Sequence, residues 1–194
     1  MAFTTAWRAL VTAGRLRPGE TVLVTGIGGG VATAGLQVAL LAGATVFVSS
    51  SADWKIERAV ALGAAGGVDY TRDDVAAWVR GRTGGRGVDV VLDGAGAASW
   101  RASIDALAMG GRLCAYGATT GDSPDLSIRE LYQSHRSILG APMGGRGDLD
   151  AVWELVCAGR LEPVVDSVHP LERVEDALRV LEGRHQFGKV LVEP

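Results

Sequence analysis

Lysine is almost absent from this chain: of 19 basic side chains only Lys55 and Lys189 are lysines, which singles both out for inspection. Cysteine is scarce too. Cys114 and Cys157 lack the CxxC spacing of a zinc or redox site, and as free thiols both are expected to be buried. The three histidines, His135, His169 and His185, show neither metal-ligand spacing nor a neighbouring paired carboxylate, so they are expected as loop or surface residues, with no metal bound by this chain. No apolar run approaches the ~20 residues of a bilayer span, because Gly, Thr and charged residues interrupt each candidate. No basic start followed by an apolar run marks a secretory leader, and the expectation is a cytoplasmic protein with no membrane partner. A formal charge of −3 gives no general pull toward nucleic acid, and the five tryptophans are too dispersed for a base-stacking platform. What is present is 194 residues, 47% hydrophobic and 21% charged, enough for one compact domain with a full core.

Along that chain, strand and helix patterns alternate. Residues 20–25 (ETVLVT) form a β-rich run, a glycine cluster follows, and residues 32–41 carry a small-residue helix pattern. The alternation continues with strands at 44–50, 67–70, 88–93, 112–116 and 137–142 and helices at 54–62, 73–80 and 99–107. Such an order favours an α/β fold, a doubly wound six-stranded parallel sheet with helices on both faces. In that fold the strand order reverses between the first and fourth strands, so the loops after Thr25 and Asp93 open into one crevice where a ligand belongs. Beyond it, residues 149–158 and 171–181 read as helices and 163–168 and 189–192 as extended pieces. The last two have no evident partner in a six-stranded core and read as the edge of a further domain.

The turn at 26–32 (GIGGGVA) offers positive φ angles, no obstructing side chains and backbone N–H groups at a helix N-terminus, which is what a pyrophosphate needs. It departs from GxGxxG at the third glycine, where Ala32 stands, an accepted variant. A tight turn without a ligand, or a methyltransferase site, would use similar residues. A methyltransferase usually needs an acidic residue after the second strand, and here that strand ends in Ser49, Ser50 and Ser51.

From end to end the chain resembles the medium-chain dehydrogenases and reductases, especially their zinc-type alcohol dehydrogenase-like, quinone oxidoreductase-like and enoyl-reductase-like members. Residues 4–10 (TTAWRAL) are similar to the family's entry helix, 19–42 to its first strand, turn and helix, and 187–191 (FGKVL) to its closing strand. The resemblance implies the Rossmann fold and a nicotinamide dinucleotide as cofactor. It implies Thr5 beside the nicotinamide, Val31 behind the ring, and Gly28, Gly29 and Gly30 under the pyrophosphate. Gly94 and Ala95 would line the adenosine and ribose side, while Gly117, Ala118, Ala141 and Met143 would lie in loops holding the nicotinamide ribose and carboxamide.

NADP rather than NAD is the expected cofactor, because NAD enzymes place a carboxylate at the end of the second strand and Ser50 occupies that position. Ser51 can donate a hydrogen bond, Lys55 adds a charge, and Tyr70 matches a tyrosine near the phosphate in similar NADPH-dependent quinone reductases. The plainer alternative makes Lys55 a solvated helix lysine and Tyr70 a core residue. The resemblance further implies hydride transfer to a carbonyl, quinone or activated double bond of a small-molecule substrate, and a homodimer joined through the sixth strand. An N-terminal barrel domain, which in the family supplies most of the substrate pocket and any zinc ligands, has no counterpart in these 194 residues. No catalytic acid or base is assigned, and Asp93 is as consistent with fixing a loop as with chemistry. A non-catalytic dinucleotide-binding sensor or scaffold remains the alternative function.

Overall fold

The computed structural model describes residues 1–122 and 125–194. Strand β1 (Thr21–Val24) lies at the centre of a six-stranded sheet with β2 (Thr45–Ser50), β3 (Gly66–Asp69), β4 (Val88–Asp93), β5 (Leu107–Ala115) and β6 (Ser137–Gly140). The order is β3-β2-β1-β4-β5-β6, and every adjacent pair is parallel. The expected doubly wound architecture is therefore the observed one.

Alternation within the strands divides the core. Val22 and Val24 of β1, with Val90 and Leu92 of β4, belong to one core cluster with Ala6 of α1 (Ala2–Trp7) and Leu36 of α2 (Gly30–Leu41). Leu23 and Val91 face the opposite way, toward α4 (Val75–Arg82) and α5 (Ala97–Ala106), where Phe47, Val79 and Ile104 complete a second layer. Both faces of a parallel sheet must be covered, which is why these strands read as nearly unbroken apolar runs. Close approach of α2 rests on Gly35, since a Cβ there would fall 2.2 Å from Leu92 Cδ2. Ala32, in place of the family's third glycine, is accommodated at 1% exposure, so tight packing is supplied one turn later.

Helix α3 (Asp53–Ala61) connects β2 to β3, and the chain after α1 continues as a wide π-type helix over Arg8–Ala13. Several elements depart from expectation. Strand β5 starts at Leu107, where residue 112 was expected, because Leu107 already pairs with Val88 across a register shift. A short helix, α6 (Ile128–Gln133), was not expected. It has no buried residue, and only the Ser127 side chain, accepting from Glu130 N, marks its start. Helix α7 (Arg146–Cys157) carries Cys157 at its end, exposed rather than buried, while Cys114 is buried as expected. Burial pushes the Cys114 thiol up to about 11.

After α7 come β7 (Val165–Pro170), α8 (Val174–Glu182) and β8 (Lys189–Glu193). As expected, the two strands have no partner in the six-stranded sheet; they pair with each other in a separate parallel sheet. His169 belongs to β7, its Nε2 3.0 Å from the Ser167 hydroxyl, instead of lying in a loop. This extension is tied to the core where Gly188 N donates to Gly28 O at 2.9 Å and the fully buried Phe187 tilts against Trp54.

Candidate functional site

Reversal of strand order between β1 and β4 leaves the loops at their C-terminal ends diverging, and the glycine turn enters α2 in that gap. Gly26 and Gly28 adopt φ of 62° and 121°, a region that side chains rarely tolerate. Ile27, 2% exposed, anchors the turn by donating its N–H to Ser49 O at 2.8 Å. A Cβ at Gly26 or Gly29 would meet nothing within 4 Å, so the outer side of the turn is open space in front of the α2 N-terminus. A pyrophosphate fits that cradle. Both lysines of the chain lie against the same turn. A Cβ at Gly28 would fall 2.9 Å from Lys55 Cδ, and one at Gly30 would fall 2.5 Å from Lys189 Cδ.

Next to the turn is a cavity of about 600 Å³ whose walls include Thr25, Gly26, Ser49, Tyr70, Ala95 and Arg184. Tyr70 is 47% exposed and stands at the rim, so it is not a core tyrosine. Arg101 also reaches the cavity but is committed to Asp105 and Glu130, whereas among the described residues no carboxylate pairs with Arg184. Ser50 is buried, its hydroxyl accepting from Ala52 N at 3.3 Å, and Ser51 is exposed. Lys55 is 8% exposed, so it is not a solvated helix lysine, and its Nζ donates to Arg184 O at 2.6 Å. Burial pushes its ammonium pKa down; Asp166 opposes that effect and Arg184 adds to it.

Across the crevice, Asp93 is 1% exposed and both of its oxygens are committed. Oδ1 accepts from Ala95 N and Gly96 N at 2.9 and 3.0 Å, and Oδ2 accepts from the Ser99 and Ser103 hydroxyls at 2.6 and 2.7 Å. Four donors on a buried carboxylate make it the holder of loop 94–96. Gly94 lies under the Tyr116 ring, which a Cβ there would approach to 2.3 Å, and burial followed by the Asp93 charge raises the Tyr116 pKa. Loop 117–121 is bound to loop 94–96 by Thr120, whose N and Oγ1 donate to Ala95 O at 2.8 and 2.6 Å. Gly117 and Ala118 sit inside this double loop, against Gly94 O and Gly96.

The remaining residues named from the sequence gather at the other end. Thr5 is buried in α1 with its hydroxyl donating to Met1 O at 3.1 Å. Gly144 approaches Thr4 O closely, which brings Met143, 63% exposed, beside that helix. Ala141 is buried and donates its N–H to Ala115 O, and Val31 packs half-buried on the core. Of the site residues named from the sequence, only Tyr70 and Ala95 line the 600 Å³ cavity; Thr5, Gly28, Gly29, Gly30, Val31, Ser50, Ser51, Lys55, Gly94, Gly117, Ala118, Ala141 and Met143 do not. Reasoning from sequence missed Arg184, which no local pattern marks, and did not connect Lys189 to the turn. The rarity of lysine was the available signal for the latter.

Against known proteins, the zinc-binding dehydrogenase family model matches residues 30–158. Zinc-type alcohol dehydrogenase-like protein YogA of Leptosphaeria maculans is 32% identical over 201 residues, which cover 97% of this chain and 55% of that protein. A 2-haloacrylate reductase of a Burkholderia species is 32% identical over 93% of this chain and 57% of its own length. A crystal structure of an NAD-dependent alcohol dehydrogenase superposes with a TM-score of 0.92 at 40% identity, over 100% of this chain and 56% of that one. A mycobacterial protein solved in complex with NADPH superposes with a TM-score of 0.90 at 28% identity, over 100% of this chain and 62% of the other. The chain thus spans a little over half the length of the curated relatives it matches.

Proposed function

This chain belongs to the medium-chain dehydrogenase/reductase family, and we propose that it binds NADP(H) in preference to NAD(H) as the cofactor-binding part of an oxidoreductase. The observation that carries the preference is Arg184, which lines the same cavity as Tyr70 and has no carboxylate paired with it among the described residues, together with a second strand that ends in Ser50 rather than a carboxylate. A carboxylate there would accept from the ribose 2′-hydroxyl and repel a 2′-phosphate; a serine does neither. Ser51 is free to donate to the same phosphate. Gly26, Gly28, Gly29, Gly30 and the α2 N-terminus hold the pyrophosphate, and the Lys189 stem lies over Gly30 beside that group. Loop 94–96 supports the adenosine side. Thr5, Val31, Gly117, Ala118, Ala141 and Met143 orient the nicotinamide.

When bound, the nicotinamide supplies a hydride for a carbonyl, quinone or activated double bond of a small-molecule substrate. The chain's own contribution is to fix the cofactor. Hydride transfer needs the acceptor held about 3–3.5 Å from the ring, and the open end of this crevice has no wall to impose that distance. The substrate wall therefore comes from the remaining length that the relatives possess, and the isolated chain binds cofactor with negligible turnover. The exposed edge of β6 joins two copies into a dimer, which Leu139→Glu should dissociate in sedimentation velocity.

A similar structure bears the name NAD-dependent alcohol dehydrogenase, so the ratio of affinities is the deciding quantity. Calorimetric titration should show NADPH binding at least about tenfold more tightly than NADH, as a charge-assisted hydrogen bond to phosphate is worth about 1.5–3 kcal/mol. Equal affinities would remove the NADP reading and leave the fold-level assignment untouched.

A further inference from the structure

Asp148 is 7% exposed, and none of the cofactor contacts proposed above uses it. It stands in the first turn of α7, and its two oxygens serve two different segments. Oδ2 accepts from Gly145 N at 2.9 Å, which caps the helix, and Oδ1 accepts from the Thr12 hydroxyl at 2.5 Å. The Arg8 guanidinium lies 3.4 Å from Oδ2. Burial alone would raise the pKa of this carboxyl, but the hydrogen bonds from Thr12 and Gly145 and the Arg8 charge outweigh it and bring it below the ordinary carboxylate value. Asp148 is therefore an anion held among three donors.

Arg8 and Thr12 both belong to the π-type stretch Arg8–Ala13 that continues the entry helix, and from there both reach the same carboxylate. Short π segments inside helices are rare and frequently mark functional sites. On the loop side the approach is just as close, since a Cβ at Gly144 would fall 2.6 Å from Thr4 O and 2.9 Å from Asp148 Cβ. The segment that carries Ala141 and Met143 thus closes on the helix that carries Thr5, and Asp148 is hydrogen-bonded to both sides of that junction.

We propose that Asp148 is a positioning residue for the nicotinamide: by accepting from Thr12 and Gly145 together, it holds loop 141–145 against the entry helix and so sets Met143 and Thr5 in one fixed relation to the ring. The functional part rests on the reading above that these residues orient the nicotinamide. The tie between helix and loop does not.

Asp148→Ala would uncap α7 as well as cut the tie, so the sharper variant is Thr12→Val, which removes one hydroxyl at an exposed position and leaves the Gly145 cap in place. In the cofactor-free chain, amide hydrogen exchange across residues 143–146 should rise about tenfold in Thr12→Val while the interior of α7 is unchanged. Thr12→Ser, which keeps the donor, should exchange like the wild type. Equal exchange in Thr12→Val and wild type overturns the proposal whatever the cofactor does. The second measurement compares NADH with ADP-ribose, which shares the adenosine and pyrophosphate but lacks the nicotinamide. Thr12→Val should lower NADH affinity about fivefold to tenfold with ADP-ribose within about twofold, and Thr12→Ser should restore it. An equal loss for both ligands makes the tie a general support of the fold and overturns the proposal, as does no loss for either. A wild type that binds ADP-ribose as tightly as NADH defeats the nicotinamide reading and the functional part with it, and the exchange measurement still judges the tie.

Discussion

The six-stranded sheet and the two-stranded β7–β8 sheet are both parallel, but they stand in opposite relations to solvent. Val22, Leu23, Val90 and Val91 are fully buried, because α1 and α2 cover one face and α4 and α5 the other. In the smaller sheet Val168 is 50% exposed and Val192 41%, and the neighbouring α8 presents Leu178 and Leu181 to solvent as well. Parallel strands are seldom left uncovered, and neither is a run of large apolar side chains on a monomer. The difference teaches that the nucleotide-binding sheet completes its own core. The extension instead packs on the glycine turn, through Gly188 and Lys189, and leaves its other side exposed.

The most forceful test makes the same substitution on both sides of that comparison. Leu92→Ala empties a site at 0% exposure between β4 and α2, and it should lower the stability measured by urea unfolding by about 2–5 kcal/mol. Leu178→Ala, at a position 52% exposed, should cost no more than about 0.5 kcal/mol. Similar losses at the two sites would mean that the extension is packed as firmly as the core.

Within the core, the next largest effect is expected at Asp93. Asp93→Ala leaves the Ala95 and Gly96 N–H groups and two serine hydroxyls without their acceptor, a loss of about 1–3 kcal/mol in urea midpoint terms. Asp93→Asn keeps an acceptor for the two backbone groups and should lose less. Cofactor affinity should fall in the same order, Ala below Asn, as loop 94–96 loosens. An unaltered affinity in both variants would separate the loop from binding.

An acid titration probes the opposite end of the same strand. Burial works to raise the Asp89 pKa, but hydrogen bonds from Arg86 and from the N–H and hydroxyl of Thr21 outweigh it and bring it down to about 2. A carboxylate depressed on folding stabilises the folded state above its ordinary pKa, near 4, and loses that contribution as pH falls toward 2. The contribution is about 2 kcal/mol. Urea midpoints should decline between about pH 4 and 2, and the decline should be smaller in Asp89→Asn. Identical pH profiles would put the acid sensitivity elsewhere.

Much of the architecture was legible because its causes are local. Unbroken apolar runs, glycine at 26–30 and small residues along α2 each carry a distinct physical requirement, and together they dictate the doubly wound order. What escaped lacks such a signature. Helix α6 has no buried face to impose a period, and the early start of β5 depends on pairing with Val88 rather than on its own residues. The β7–β8 partnership joins strands nineteen or more residues apart around α8, with no hairpin turn to announce it. Tyr70 and the glycine turn could be placed at the crevice from the sequence because a strand end or a turn fixes their position. Arg184 could not, since it lines the cavity from a left-handed turn far along the chain.

The smallest effect on stability, and the one most specific to the extension, concerns self-association. Leu178 and Leu181 are 52% and 43% exposed on the same helix, with Leu171, 56% exposed, just before it. Replacing Leu178 and Leu181 together by Gln removes apolar area from solvent contact and leaves the core untouched, so unfolding free energy should change by less than about 0.5 kcal/mol. An uncovered apolar surface nonetheless drives copies together at high concentration, and this variant should associate less than the wild type in sedimentation velocity. The dimer proposed through the β6 edge would be a second, independent contact, since an edge strand's backbone groups pair strand to strand rather than through side chains. Leu139→Glu should therefore abolish one association step and the α8 variant another. If Leu139→Glu alone leaves a monomer at all concentrations, the α8 surface is not sticky, and the contrast between a finished sheet and an unfinished one loses its functional meaning.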